Sequence, residues 1–401
     1  LVRPQMLINS DVKRAFESIF PEGYSAFSED MRASRIYHYI MENFSYSYVG
    51  FRQSGYVPQK PSKTIKSRLG DCKDFSTLYV TLAQMAGLRA HLVLVLTSDY
   101  GENSMILPNQ DFNHCIAKVF IDGKAQYLEL TDNNLPFRSI PTSLEHATAL
   151  DIPNKNFKKV SSGIYRLDNI AHTPTVIESH MRYKIGKDDH ELQVESILKG
   201  SIVSHYAGIF KENNAEMLKN SIKEDFQGRM SEDFSLDSVY NVNYKRRAET
   251  LKYVSKLSVN EKLNQIGSMK VLSLPAINNA YNSSIIEDNV RNYPIDYLLY
   301  ENADEYISSY LIVLSEDEEF VEVPENSEYS FKAHHFNMNF ELKEPNELFV
   351  QISVQTSKKR IDPQDYKDFK MYVKSVLNAK KQLIGFKKAA STSKVSLPGK
   401  G

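Results

Sequence analysis

The sequence predicts an α+β protein: a helix packed on an antiparallel sheet, then a β-rich, sandwich-like C-terminal domain with helices. Three observations carry this. Residues 72–86 place Phe75, Leu78, Tyr79, Leu82, Met85 and Ala86 at helical spacing. Residues 111–132 form two β-rich runs around Asp122-Gly123, a two-residue hairpin signal. Past residue 160 the chain turns to alternating runs, and 401 residues are too many for one core.

Taken in order, residues 1–29 read as a lead-in, as the end of an upstream domain would, with Pro4 and Pro21-Glu22-Gly23 as breaks. The core is expected over 30–160. Apolar residues at 36, 37, 40, 41 and 44 predict a helix; residues 45–51 read as extended, 52–61 as loop and 62–69 as a short helix. The 72–86 helix has Asp71 at its N-cap, Asp74 three residues on and Gly87 as its stop. Residues 90–96 are a buried strand, and 97–110 a polar loop long enough to border a cleft. Residues 141–152 close the core, and 153–159 mark a boundary.

The β-rich domain is expected over 161–388, with strands at 191–198, 306–314, 329–333 and 348–354. One helix covers 207–227. Another starts at Asp362 as N-cap and Pro363, with Tyr366, Phe369, Val373, Val376 and Leu377 on one face. Residues 389–401 are low-complexity and read as a disordered tail.

The chemistry concentrates in the first half. Cys72 falls in the first turn of its helix, where unpaired N–H groups and the positive end of the dipole favour a thiolate. With a two-residue turn, Ile121 faces Lys124, Ile116 faces Glu129 and His114 faces Thr131. Residues two apart share a face, so His114, Glu129 and Thr131 project together. Nucleophile, base and acidic orienter is the logic of a catalytic triad: Cys72, His114, Glu129. Asp132 is the alternative acid, which a one-residue bulge at the turn would select. Gln53 is a candidate to lend its amide to an oxyanion hole beside the Cys72 N–H, against a plain loop role. Cys115 faces the other side of its strand and reads as a core residue, not a disulfide partner for Cys72.

Gly70-Asp71-Cys72-Lys73-Asp74, Asn113-His114 and Leu128-Glu129-Leu130-Thr131 resemble the transglutaminase-like cysteine-enzyme superfamily. The likeness is specific over residues 30–145, with Glu129 standing where the superfamily usually has Asp. Residues 51–61, Leu135-Pro136-Phe137 and, more weakly, residues 291–295 are similar to a bacterial, Bacteroidetes-type subgroup that flanks this core with domains of unknown function. The resemblance implies a papain/transglutaminase-like core and a place in the periplasm or cell envelope. It implies cysteine-dependent acyl transfer on peptide or protein amides, as an amidase or protease with water as acceptor, or a transglutaminase with an amine. The alternative is a catalytically inactive binding or scaffold protein of the cell envelope, in which the β-rich domain does the work.

Composition excludes other classes. The 49 Lys and Arg balance 50 Asp and Glu for a net charge of −1, so nothing electrostatic recommends nucleic acid as a partner. No apolar run approaches the roughly 18 residues of a membrane span, and no signal peptide opens the chain, whose first residue, Leu, reads as a processed start. No cofactor or metal is expected: Cys-x-x-Cys and His-Glu-x-x-His are absent, and His334-His335 reads as a solvated strand segment.

Overall fold

The computed structural model describes residues 2–47, 55, 57–100, 111–152, 163–168, 170–187, 189–211, 214–230, 232–275, 277–296 and 303–389. Gln53, most of the 97–110 loop, the 153–160 segment and residues 390–401 lie outside them. The chain forms two compact units. The first comprises Leu1–Thr175, Leu198–Lys211 and Tyr244–Leu251; the second comprises Val176–Ile197, Glu212–Asn243 and Lys252–Gly401.

In the first unit, α1 (Ser10–Ile19) and α2 (Glu29–Asn43) precede β1 (Ser45–Tyr46). Then come α3 (Pro61–Ser67), β2 (Leu69–Gly70) and α4 (Cys72–Met85). Ile36, Tyr37, Ile40 and Met41 are all buried on one face of α2, as their spacing requires. They join Phe75, Leu78, Tyr79 and Leu82 of α4 in one core. Burial of each such side chain stabilises by about 1.5–3 kcal/mol. β1 pairs parallel with β2, so the residues just before Cys72 are tied to the chain leaving α2.

The five-stranded sheet runs β5-β4-β3-β6-β7. Its strands are β3 (Ala90–Leu96), β4 (His114–Ile121), β5 (Lys124–Leu128), β6 (Thr148–Ile152) and β7 (Tyr165–Arg166). All its pairs are antiparallel. Asp122 and Gly123 both take positive φ, 51° and 78°, the backbone a type I′ turn demands. Ile121 therefore faces Lys124 and Ala117 faces Leu128, the register expected from the turn. Cys115, Ala117, Val119 and Ile121 pack into the core shared with α4, while Ile116 joins Val93 and Val95 on the opposite face.

The second unit is β-rich. Its larger sheet holds β8 (Val176–Lys184), β9 (His190–Lys199), β10 (Phe234–Asn243), β11 (Thr250–Val259) and β14 (Glu305–Val313), with β16 (Ser327–Phe331), β17 (His334–Glu344) and β18 (Glu347–Gln355). The order is β10-β11-β9-β8-β14-β18-β17-β16, with β14 parallel to β8. β12 (Asn264–Ile266), β13 (Met269–Leu272), β15 (Glu318–Glu322) and β19 (Ile384–Lys388) form a smaller sheet.

Three expectations are corrected. The single helix over 207–227 is two, α5 (Ile202–Phe210) and α6 (Ala215–Gln227), because the Asn214 side chain accepts from Glu216 N and Met217 N and starts a new helix. Asp362 opens a 3-10 turn, Pro363–Asp365, and α7 proper is Tyr366–Lys380, burying Tyr372 beside the expected Phe369, Val373 and Val376. His334-His335 is not uniformly solvated. Neighbours on a strand face opposite ways, so His335 is exposed while His334 is buried against the Tyr281 hydroxyl.

Candidate active site

Cys72 opens α4 because Asp71 makes the helix start there. The Asp71 carboxylate accepts from Lys73 N at 3.1 Å and Asp74 N at 3.2 Å, and the Asp74 carboxylate accepts from Asp71 N at 3.2 Å. This reciprocal cap satisfies the first-turn donors on both sides of Cys72. Asp74 is itself fixed by Gln59, which donates its N–H at 2.8 Å and its side-chain amide at 2.7 Å. Lys73 is buried with its ammonium against Asp71. Gly70 is required by close approach, since a Cβ there would lie 2.8 Å from the Phe75 ring.

His114 is the first residue of β4. Its Nε2 lies 2.6 Å from Glu129 Oε2, which leaves Nδ1 for Cys72, whose thiol is close enough to act on the ring's charge. Thr131 holds the other oxygen of Glu129, donating its N–H at 2.7 Å and its hydroxyl at 2.6 Å. Cys72 and Glu129 are buried, with 5% and 4% exposure. Burial opposes charge on His114, but the Glu129 carboxylate, its hydrogen bond and the nearby Cys72 prevail and raise its pKa to about 10. Burial likewise opposes charge on Glu129, and His114 with the two Thr131 bonds prevails, lowering its pKa to about 2. At neutral pH the site holds an imidazolium and a carboxylate.

The alternative acid, Asp132, is turned elsewhere: it accepts from Asn134 N at 2.9 Å and from the Ser204 hydroxyl. Cys115 is buried beside the first turn of α4, its carbonyl accepting from Ser76 Oγ at 3.0 Å, and both cysteines are free thiols. A cavity of about 240 Å³ flanks the helix start along Gln59, Gly70, Asp71, Lys73 and Asp74; neither Cys72 nor His114 lines it, so it lies beside the candidate site. Among the described residues no cluster of side chains is suited to hold a metal ion, and no helix is long and apolar enough to cross a membrane.

Sequence reasoning missed Thr131 as a holder of Glu129, although its place on the same face was the available signal. It also missed Gln59, Ser204 and Arg247, for which no local pattern exists.

A cysteine at a helix start, beside a histidine at a strand start and an acid just past the next strand, is the arrangement of a cysteine-enzyme type of core. Residues 25–129 match the transglutaminase-like superfamily, and this part of the chain is a transglutaminase-like domain. Residues 269–386 match a domain of unknown function, DUF3858. The chain thus pairs the two, the arrangement of the bacterial subgroup its sequence resembles. It is similar in fold to a crystal structure from Parabacteroides distasonis described as a "putative protease", with a TM-score of 0.55 and 11% identity over 96% of this chain. The match covers 56% of that longer protein. Comparison with curated proteins gives no match.

Proposed function

We propose that the chain is a cysteine-dependent acyl-transfer enzyme acting on amide or peptide bonds, with Cys72 as nucleophile, His114 as acid–base and Glu129 as orienter. The observation that carries this is His114 held 2.6 Å from a buried carboxylate, with the Cys72 thiol close enough to act on its charge. A cation beside a sulfur favours the thiolate. The thiolate attacks the substrate carbonyl, and the imidazolium gives its proton to the departing amine, leaving a thioester on Cys72. Water or a second amine then attacks the thioester, losing its proton to His114 and releasing the thiolate. Asp71 takes the N–H groups of Lys73 and Asp74 but not that of Cys72, which remains to receive the oxyanion. Glu129 stays ionised throughout and fixes the tautomer. The choice between hydrolysis and transamidation, and a place in the periplasm or cell envelope, belong to this proposal and rest on family resemblance.

One observation favours the second reading, a binding or scaffold protein: Cys72 is only 5% exposed, so a substrate reaches it only after side chains move. Profiling with a thiol-reactive amide library, read by intact mass, separates the two. The enzyme reading predicts an acyl adduct on Cys72 that Cys72→Ala abolishes and that water or an added amine discharges. No adduct from any library member supports the scaffold reading.

A further inference from the structure

Glu129 is followed by a short irregular loop, and the loop is tied down by residues from far along the chain. Asn133 donates its side-chain amide to Phe44 O at 3.0 Å, and Tyr37 donates its hydroxyl to Leu135 O at 3.0 Å. These two ties come from α2 and its exit. The other two come from Leu198–Lys211 and Tyr244–Leu251, which belong to the first unit despite their late place in sequence. Ser204 donates to Asp132. Arg247, 114 residues beyond Asn133, reaches Asn133 O at 3.3 Å, Met41 O at 3.4 Å and Glu42 Oε1 at 2.7 Å.

Arg247 is built for this contact. It is 8% exposed and sits at φ 61°, a left-handed backbone that costs a non-glycine residue energy and persists only where its surroundings demand it. Its guanidinium closes the C-terminal turn of α2, where a cation suits the helix dipole and the free carbonyls. The same fork holds the loop that leaves Glu129.

We propose that Arg247 is a positioning residue for the acid of the triad: by tying Asn133 to the end of α2 it holds Glu129 against His114. This rests on the acyl-transfer reading. The transglutaminase-like core is then incomplete without residues that lie well past its own sequence span.

The test is the rate of Cys72 alkylation by iodoacetamide, measured against pH in the full chain for wild type, Arg247→Ala, Arg247→Lys and Ser204→Ala, with the melting temperature of each. A displaced Glu129 stabilises the imidazolium less. Arg247→Ala is expected to slow alkylation at pH 7 about ten- to a hundredfold. The acid limit of its profile, where the thiolate forms beside the imidazolium, should rise by about one to two pH units from that of wild type. Lysine keeps the charge but lacks the planar fork that spans the separated acceptors, so Arg247→Lys should recover part of both. Ser204→Ala should move the limit the same way by less. A merely structural Arg247 would lower the melting temperature and leave rate and limit unchanged, which overturns the proposal. Should Arg247→Ala fail to fold, wild-type profiles in both Arg247→Lys and Ser204→Ala overturn it equally. Wild-type Cys72 reacting no faster than Cys115 overturns the acyl-transfer reading and this inference with it.

Discussion

The five-stranded sheet carries two histidine–carboxylate pairs, and they differ in a way that bears on which of them could serve a nucleophile. At the start of β4, His114 meets Glu129 at 2.6 Å and a thiol. Elsewhere in the same sheet, His91 of β3 meets Asp151 of β6 at 3.2 Å. There Asp151 is shared: Lys118 reaches it at 3.1 Å and Tyr165 donates to it at 2.5 Å. Burial works to raise the Asp151 pKa, but His91, Tyr165 and Lys118 outweigh it and hold it below the usual carboxylate value. That carboxylate is saturated by three partners and has no nucleophile. Glu129 answers only to His114 and to the Thr131 bonds that aim it. A buried histidine beside an acid is therefore not enough; the acid must serve the imidazole, and the imidazole must face something to activate.

The largest expected effect breaks the first pair. Glu129→Gln should lower turnover of an amide substrate about 10²–10⁴-fold, since the carboxylate both fixes the tautomer and stabilises the imidazolium. Steady-state kinetics on a substrate found by profiling checks it. Asp151→Asn should do the reverse. It removes the charge partner of the half-buried Lys118 ammonium and should cost about 1–3 kcal/mol of stability in denaturant titration, with the Cys72 alkylation rate unchanged. A rate loss there would mean that the two clusters are coupled.

Acidity sharpens the comparison further. The Glu129 contribution to stability is present above its ordinary value of 4.5 and is lost as pH falls through about 2. The His114 contribution is present below its ordinary 6.5 and is lost as pH rises through about 10. The difference in melting temperature between wild type and Glu129→Gln should thus be greatest between 4.5 and 6.5 and shrink towards both extremes. A difference that does not vary with pH would contradict the ion pair. The smallest effect is expected from Asp132→Asn. Asparagine can still accept from Asn134 N, so alkylation should stay within about threefold, under 1 kcal/mol of barrier.

What the sequence discloses here is local and periodic. Asp71, Cys72 and Asp74 lie within one turn, so their cap is readable as written. Asp122-Gly123 fixes the hairpin backbone, and from that one turn the shared face of His114, Thr131 and Glu129 follows by counting. The same counting puts Asp132 on the other side. Contacts between residues remote in sequence leave no such trace. Gln59 bracing Asp74 and Arg247 bracing Asn133 depend on tertiary approach. β8 lying parallel to β14, over a hundred residues later, has no turn to announce it. The Asn214 cap was hidden because apolar spacing continued on both sides of it. His334 misled because two adjacent histidines look polar, whereas a strand sends one of them inwards.

The claim that Cys72 is set apart from an ordinary buried thiol by His114 is tested most directly by competition within one molecule. The chain has two cysteines, Cys72 and Cys115, both free and both buried. Burial raises the Cys115 pKa well above the ordinary thiol value. Brief exposure of the folded protein to limiting iodoacetamide at pH 6, followed by peptide mass spectrometry, reads the two rates side by side. The account predicts label at Cys72 well before any appears at Cys115, with the advantage lost in His114→Ala. Equal labelling of the two cysteines in the folded wild type would contradict it.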